Sequence, residues 1–167
     1  GSAESKADLG ITLTGMHGVG AALTKKVLEE AGFTNVTLVA EQADPDPDFP
    51  TVSFPNPEEP GALDLAIAHA AVHGSDLIIA VDPDADRCAL AVPDTESTTG
   101  WRQLSGDEIG SLLGEFRAQS APSDAVFANS IVSSRLLGKI AEGHGLKYQH
   151  TLTGFKWIAR VPCLYFG

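Results

Sequence analysis

The sequence predicts an α/β fold, a mixed and mostly parallel sheet with flanking helices, followed by the start of a second, similar α/β domain. Three observations carry that expectation. A short apolar run over Leu9–Leu13 leads through a glycine-rich turn into a helical pattern and then into a second run, Val36–Ala40, which is one βαβ unit. The apolar runs Leu77–Val81 and Cys88–Val92 flank a tight acidic turn. Beyond residue 120 another strand–helix–strand pattern begins.

The elements follow in order. After the first strand comes Thr14-Gly15-Met16-His17-Gly18-Val19-Gly20, then a helix to about Ala31 with Ala22, Leu23, Val27 and Leu28 expected inward and Gly32 as its stop. Residues 41–60 hold six prolines and six acids. Proline fixes φ and breaks regular structure, so this is a stiff loop, expected to be pinned by Phe49, Val52 and Phe54. Residues 61–72 form an alanine-rich helix with Leu63, Ile67 and Ala71 inward, and Gly74-Ser75-Asp76 turns into the strand 77–81. Residues 88–92 are a strand, 94–100 a polar hairpin-like loop and 101–104 an edge strand.

Ser105 followed by Glu108 has capping-box spacing for a helix over 106–119. Gln119–Ser123 reads as a linker, which divides the chain into residues 1–119 and 120–167. The second part offers strands at 125–128 and 146–149 around a helix at 133–143 capped by Ser133, with Ser134 as the alternate, and a short helix within 151–160. Two strands and one crossover cannot bury both sheet faces, so this second domain is expected to be incomplete.

Composition bounds the function. The chain has 167 residues, 43% of them hydrophobic, enough for one domain and part of another. Its 22 acids against 11 bases give a net charge of -11, which argues against nucleic acid as a partner. No run approaches the roughly 18 apolar residues of a membrane span. Cys88 and Cys163 have no ligand spacing and read as free thiols of a reducing, cytosolic compartment. Gly1–Ser5 carries no signal pattern and reads as a cloning remnant.

The acidic turn Asp82-Pro83-Asp84-Ala85-Asp86-Arg87 is the leading candidate site. Three carboxylates crowded together repel one another, and a divalent cation removes that penalty. All-oxygen ligands favour a hard ion, Mg²⁺ first, which keeps positions open for phosphate oxygens. Arg87 suits a phosphate beside the ion. The competing reading is a solvated acidic turn with Arg87 paired to a neighbour. An EF-hand loop fails, because Arg87 and Pro93 stand where glycine and glutamate are needed. A haloacid-dehalogenase-like phosphatase, with Asp82 as nucleophile and Asp84 as the second Asp two residues on, is the alternative enzyme reading; a non-catalytic sugar-phosphate-binding module is the alternative outside enzymes.

Two other segments draw attention. His17 either touches a phosphate or hydrogen-bonds within its own domain, the second being favoured. In Thr151-Leu152-Thr153-Gly154-Phe155-Lys156-Trp157-Ile158, Gly154 allows close backbone approach. Lys156 can donate to a phosphate or sugar hydroxyl or exchange a proton. Trp157 is read first as a packing residue, with stacking on a ring as the alternative.

With those residues in place, the chain resembles the α-D-phosphohexomutase superfamily, the phosphoglucomutases and phosphomannomutases. Asp82–Arg87 resembles its metal-binding loop, Thr14–Gly20 the motif opening its second domain, Phe49–Val52 with Pro55–Glu58 the segment before that domain's second helix, and Thr153–Ile158 its third-domain Gly-x-Lys element. The wording is nearest the long bacterial phosphomannomutase and phosphopentomutase-like branch. The resemblance implies a four-domain enzyme that moves a phosphoryl group between sugar C1 and C6, or C5 for pentose, through an enzyme phosphoserine and a bisphosphorylated sugar. It implies Asp82, Asp84 and Asp86 as Mg²⁺ ligands, Arg87 and Lys156 as catalytic, and Gly154, Lys156, Trp157 and His17 as substrate-binding. The family's Thr-Ala-Ser-His-Asn-Pro-like serine loop does not occur in these residues. The expected partners are therefore sugar phosphates together with family domains 1 and 4 and the remainder of domain 3.

Overall fold

A computed structural model describes residues 3–167, so of the amino-terminal remnant reading, Gly1 and Ser2 lie outside the described residues. The chain divides into two compact units, Gly1–Leu104 and Ser105–Gly167. The division falls fifteen residues before the boundary expected at 119/120. The reason is packing: helix α4 (Gly106–Ala118) lies against α5 (Leu136–Gly143) of the second unit, and Gln119–Ser123 is a connection inside that unit.

The first unit opens with α1 (Ala3–Asp8) and builds a five-stranded sheet from β1 (Ile11–Thr14), β2 (Val36–Leu38), β3 (Leu77–Val81), β4 (Cys88–Pro93) and β5 (Trp101–Gln103), in the order β2-β1-β3-β4-β5. β1 runs parallel to both β2 and β3, with Ile11 opposite Val36 and Leu77. β3 and β4 pair antiparallel, with Val81 opposite Cys88, so the acidic turn is the closed end of a hairpin. β5 completes the antiparallel edge. Alternation along β3 sends Ile78 and Ala80 to a core with Ala66 and Ala70 of α3 (Asp64–His73) and Ala89 and Ala91 of β4. The small side chains on all three elements let helix and sheet approach closely. Ala71, expected inward, is exposed; the burial stripe runs through Leu63, Ala66 and Ala70 instead.

The opposite face is thinner. Ile11, Leu13 and Val36 pack with Leu28 and Phe33, but α2 (Ala21–Glu30) turns Ala22, Leu23 and Val27 to solvent. Of the helix's five apolar residues only Ala21 is buried and Leu28 partly so, and Phe33 and Leu38 help Leu28 cover the sheet face. The proline-rich segment has no strand and only a short 3-10 turn at Ala40–Gln42. Phe54 is exposed rather than a pin; the fully buried anchors are Gln42 and Pro57.

The second unit holds a three-stranded parallel sheet in the order β7-β6-β8, from β6 (Val126–Ser130), β7 (Lys147–Thr151) and β8 (Leu164–Phe166). β8 was not visible in the sequence, because Leu164-Tyr165-Phe166 is three residues long and follows a proline and a positive-φ Cys163. Phe127, Leu137 and Ala141 form its core with Tyr148 and Phe166 around them. Ser105 caps α4 as expected: its hydroxyl accepts from the Glu108 N–H and its own N–H donates to the Glu108 carboxylate. α5 starts later than expected, and Ser134, not Ser133, accepts from the Leu136 N–H. α6 (Phe155–Ile158) is a single turn. Four strand pairs are parallel and two antiparallel among the described residues, the mixed, mostly parallel α/β arrangement the sequence predicts.

Candidate metal centre

β3 is parallel to its neighbour β1, and β2 lies on the other side of β1. In open parallel sheets the crevice at the carboxyl ends, where the strand order reverses, is the ligand position. Here the turn after β1 and the turn after β3 meet at that point. Val19 donates its N–H to the Pro83 carbonyl at 2.9 Å. A Cβ on Gly18 would stand 2.1 Å from Pro83 Cα, and one on Gly20 would stand 2.7 Å from Ala85 Cβ. Gly18 and Gly20 are therefore a seat for the acidic loop.

Within the loop, Asp82, Asp84 and Asp86 each offer an oxygen, and these atoms lie within 4.8 Å of one another. Asp82 is buried at 1% exposure, whereas Asp84 and Asp86 are exposed. Arg87 holds Asp82 in place: its backbone N–H donates to Oδ1 at 3.0 Å and its Nε to Oδ2 at 2.9 Å. Ala85 sits at φ 59°, the left-handed region, and its N–H donates to the Asp82 carbonyl. That conformation folds the chain back so that alternate side chains leave one side.

The electrostatics fit that geometry. Burial pulls the Asp82 carboxyl upward, but the Arg87 backbone and side-chain hydrogen bonds outweigh it and hold the group below the usual carboxylate range. Asp86 is pushed up, first by the charge of Asp84 and then by desolvation and Asp82. Arg87 is raised further by its bond to Asp82. Like-charge crowding at the exposed oxygens, only partly offset by Arg87 at 3.6 Å from Asp86, is what a cation would remove. Metal–oxygen distances of about 2.1 Å for Mg²⁺ and 2.4 Å for Ca²⁺ allow ligand oxygens at most about 4.2 and 4.8 Å apart. The three acids thus converge to the outer span of one hard dication's shell, and Mg²⁺ would draw the exposed Asp84 and Asp86 side chains slightly closer; the all-oxygen donor set fits such an ion. Each Asp82 oxygen keeps a lone pair beyond its bond to Arg87. The Arg87 side chain stays 54% exposed, so the group that orients Asp82 still faces solvent.

His17 takes another part. Its ring is 4% exposed and Nε2 lies 2.7 Å from Thr51 Oγ1. No face is open for a phosphate; the expected substrate contact gives way to an internal hydrogen bond, because the proline-rich loop closes over the ring. Met16 and His17 both adopt positive φ, 48° and 61°, at a cost on the order of 1–3 kcal/mol each.

In the second unit, Gly154 has φ 117°, which only glycine adopts without strain, and it opens α6. Lys156 is exposed, and its Nζ lies 5.7 Å from the Trp157 ring, with the Arg160 guanidinium at 5.5 Å. Trp157 is 37% exposed, so it is not the core residue the packing reading made it. It lines an open hollow of about 270 Å³ with Gln149, His150, Thr151 and Arg160. Arg160 and Thr51 were not singled out from sequence. Nothing in their spacing signals a site, since only the folded chain brings Thr51 to His17, 34 residues away.

Known proteins share this architecture. Residues 2–96 match the model of the phosphoglucomutase/phosphomannomutase alpha/beta/alpha domain II, and residues 105–161 that of domain III. The chain is 46% identical over 165 residues to the "Probable phosphomannomutase" of Haemophilus influenzae, covering 98% of this chain and 34% of that protein. It is 47% identical over 174 residues to the phosphoribomutase of Saccharomyces cerevisiae, covering 96% and 28%. A crystal structure of a phosphoglucomutase/phosphomannomutase family protein from Burkholderia thailandensis superposes with a TM-score of 0.74 at 20% identity, over 90% of this chain and 30% of that one, a likeness of fold. The chain spans about a third or less of the length of these relatives.

Proposed function

Because the chain belongs to the phosphoglucomutase/phosphomannomutase family, with domain II and domain III regions, we propose that it supplies the metal-binding loop of a phosphosugar mutase. The longer protein would move a phosphoryl group between C1 and C6 of a hexose phosphate, or C5 of a pentose phosphate, by way of an enzyme phosphoserine and a bisphosphorylated sugar. The observation that supports this most directly is the convergence of the Asp82, Asp84 and Asp86 oxygens at the switch point of the first sheet.

In this reading Asp82, Asp84 and Asp86 hold Mg²⁺, which when bound offsets the negative charge of the transferring phosphoryl group. Arg87 keeps Asp82 ionised and oriented, and its exposed guanidinium offers donors to phosphate oxygens. Lys156 donates to the sugar hydroxyl or takes its proton, and Gly154 lets the backbone come close. Trp157, half-exposed with Lys156 and Arg160 near its ring, offers apolar surface against which a sugar ring packs. Phosphomannomutase, phosphoglucomutase and phosphopentomutase activities are all compatible with these residues, and a cytosolic setting follows the cysteine reading. No helix among the described residues is long and apolar enough to cross a membrane.

A phosphatase that attacks through Asp82 is disfavoured, since that carboxylate is 1% exposed and both its oxygens accept from Arg87. The test is a Mn²⁺ titration followed by paramagnetic broadening, run beside beryllium fluoride trapping. Broadening centred on residues 82–87, abolished by Asp82→Asn, Asp84→Asn and Asp86→Asn together, supports the proposal. A stable fluoroberyllate adduct on Asp82 would replace it with the phosphatase.

A further inference from the structure

Beside the turn that seats the acidic loop lies a polar network, buried at Thr14, His17 and Gln42 and exposed at Thr51, that the metal reading does not use. Thr14 Oγ1 accepts from the Met16 N–H at 3.0 Å and donates to Gln42 Oε1 at 2.6 Å. Gln42 Nε2 donates to Thr51 Oγ1 at 2.9 Å, and the same oxygen meets His17 Nε2 at 2.7 Å. The His17 backbone N–H donates to the Gln42 carbonyl, and the His17 carbonyl accepts from the Asp46 N–H. Thr14 and Gln42 are fully buried and His17 nearly so. Two chain segments, Thr14–His17 and Gln42–Thr51, are thus tied together around one histidine, Thr51 at its ring and Gln42 and Asp46 at its backbone.

The bonds are placed on the two residues whose backbone is strained. Left-handed backbone at non-glycine positions persists only where the surroundings over-determine it. What that conformation achieves is visible directly after it. Gly18, Val19 and Gly20 are laid flat against Pro83 and Ala85, with the Val19–Pro83 hydrogen bond as the join. The network therefore acts on the acidic loop through backbone and not through any side chain that touches a cation.

We propose that His17, held by Thr51 and Gln42, is the positioning residue of the Asp82–Arg87 loop, fixing the turn on which the three carboxylates are seated. The proline-rich loop thereby gains a role, since it carries Thr51 and Asp46 to His17. This rests on the metal reading for its consequence but not for its structural content, and the test separates the two.

The test uses Thr51→Val, which removes the shared oxygen at nearly constant volume from a residue outside the metal and substrate sets, with Thr51→Ser as the conservative control. In the metal-free chain, amide exchange at Val19 and Ala85 is expected to quicken by about tenfold or more in Thr51→Val, the order expected when both hydrogen bonds to Thr51 Oγ1 are removed. Exchange at Ile78 and Ala89 in the core is expected to stay unchanged, and Thr51→Ser to restore Val19. Mn²⁺ affinity is expected to fall by a similar factor in Thr51→Val only. Unchanged Val19 exchange in a folded Thr51→Val chain overturns the proposal, as does loss of protection throughout the first unit, which would make the network a general fold determinant. If Asp82→Asn leaves Mn²⁺ affinity intact, the metal reading fails, while the exchange data still decide the positioning role.

Discussion

At the scale of single residues, Asp82 and Asp86 differ although they sit in one loop. Asp82 is buried and kept ionised by Arg87; Asp86 is exposed and crowded by Asp84. Asp86 therefore takes up a proton first as pH falls. Mn²⁺ affinity is expected to drop as pH is lowered toward the ordinary carboxylate value of about 4, with a smaller drop in Asp86→Asn, measured by broadening between pH 7 and 4.5. Asp82→Asn is expected to reduce affinity by about tenfold or more at neutral pH. Gly18→Ala meets Pro83 backbone at 2.1 Å, which no rotamer change relieves, and is expected to cost about 1–3 kcal/mol in urea unfolding.

At the scale of elements, the capping box of α4 and the histidine pair of α3 make separate predictions. Ser105→Ala removes the acceptor for the Glu108 N–H and is expected to cost about 1 kcal/mol in thermal unfolding of the second unit. His69 stacks on His73 with ring centroids 3.9 Å apart, and burial, then the neighbouring histidine, hold its pKa below the ordinary value. A base with a lowered pKa binds fewer protons folded than unfolded. Its contribution is intact above about pH 6.5 and is lost as pH falls through that value toward the lower folded one. Urea unfolding of the first unit at pH 7.5 and 5.5 checks this, with His69→Gln expected to flatten the difference.

At the scale of the whole molecule, charge is divided unevenly. Residues 1–104 carry seventeen acids and five bases, and residues 105–167 five acids and six bases, so the net negative charge lies entirely in the unit with the acidic loop. Mg²⁺ is expected to raise the unfolding temperature of the first unit more than NaCl at equal ionic strength, and to leave the second unchanged. The 167-residue chain by itself is expected to give no mutase turnover with hexose or pentose 1-phosphates, because phosphoryl transfer needs donor, ion and acceptor held together and the serine loop is not in these residues. A coupled assay with a full-length relative as positive control measures it.

Local signals were enough for much of this. The strands Leu77–Val81 and Cys88–Val92, the Ser105–Glu108 cap and the Asp82–Arg87 motif could all be read directly, since each depends on residues within a few positions of one another. What local signals could not give was which of several apolar side chains a helix buries, as with Leu23 and Val27, or a three-residue strand such as β8 that exists only because β6 pairs with it. The sequence by itself determined the order of the elements between α1 and β8, though neither of those two, and the three carboxylates at a strand end. Only the tertiary structure decided that Gly18 seats Pro83, that Thr51 holds His17, and that α4 joins the second unit. Those facts are contacts between residues tens of positions apart, and such contacts arise from packing that no local pattern encodes.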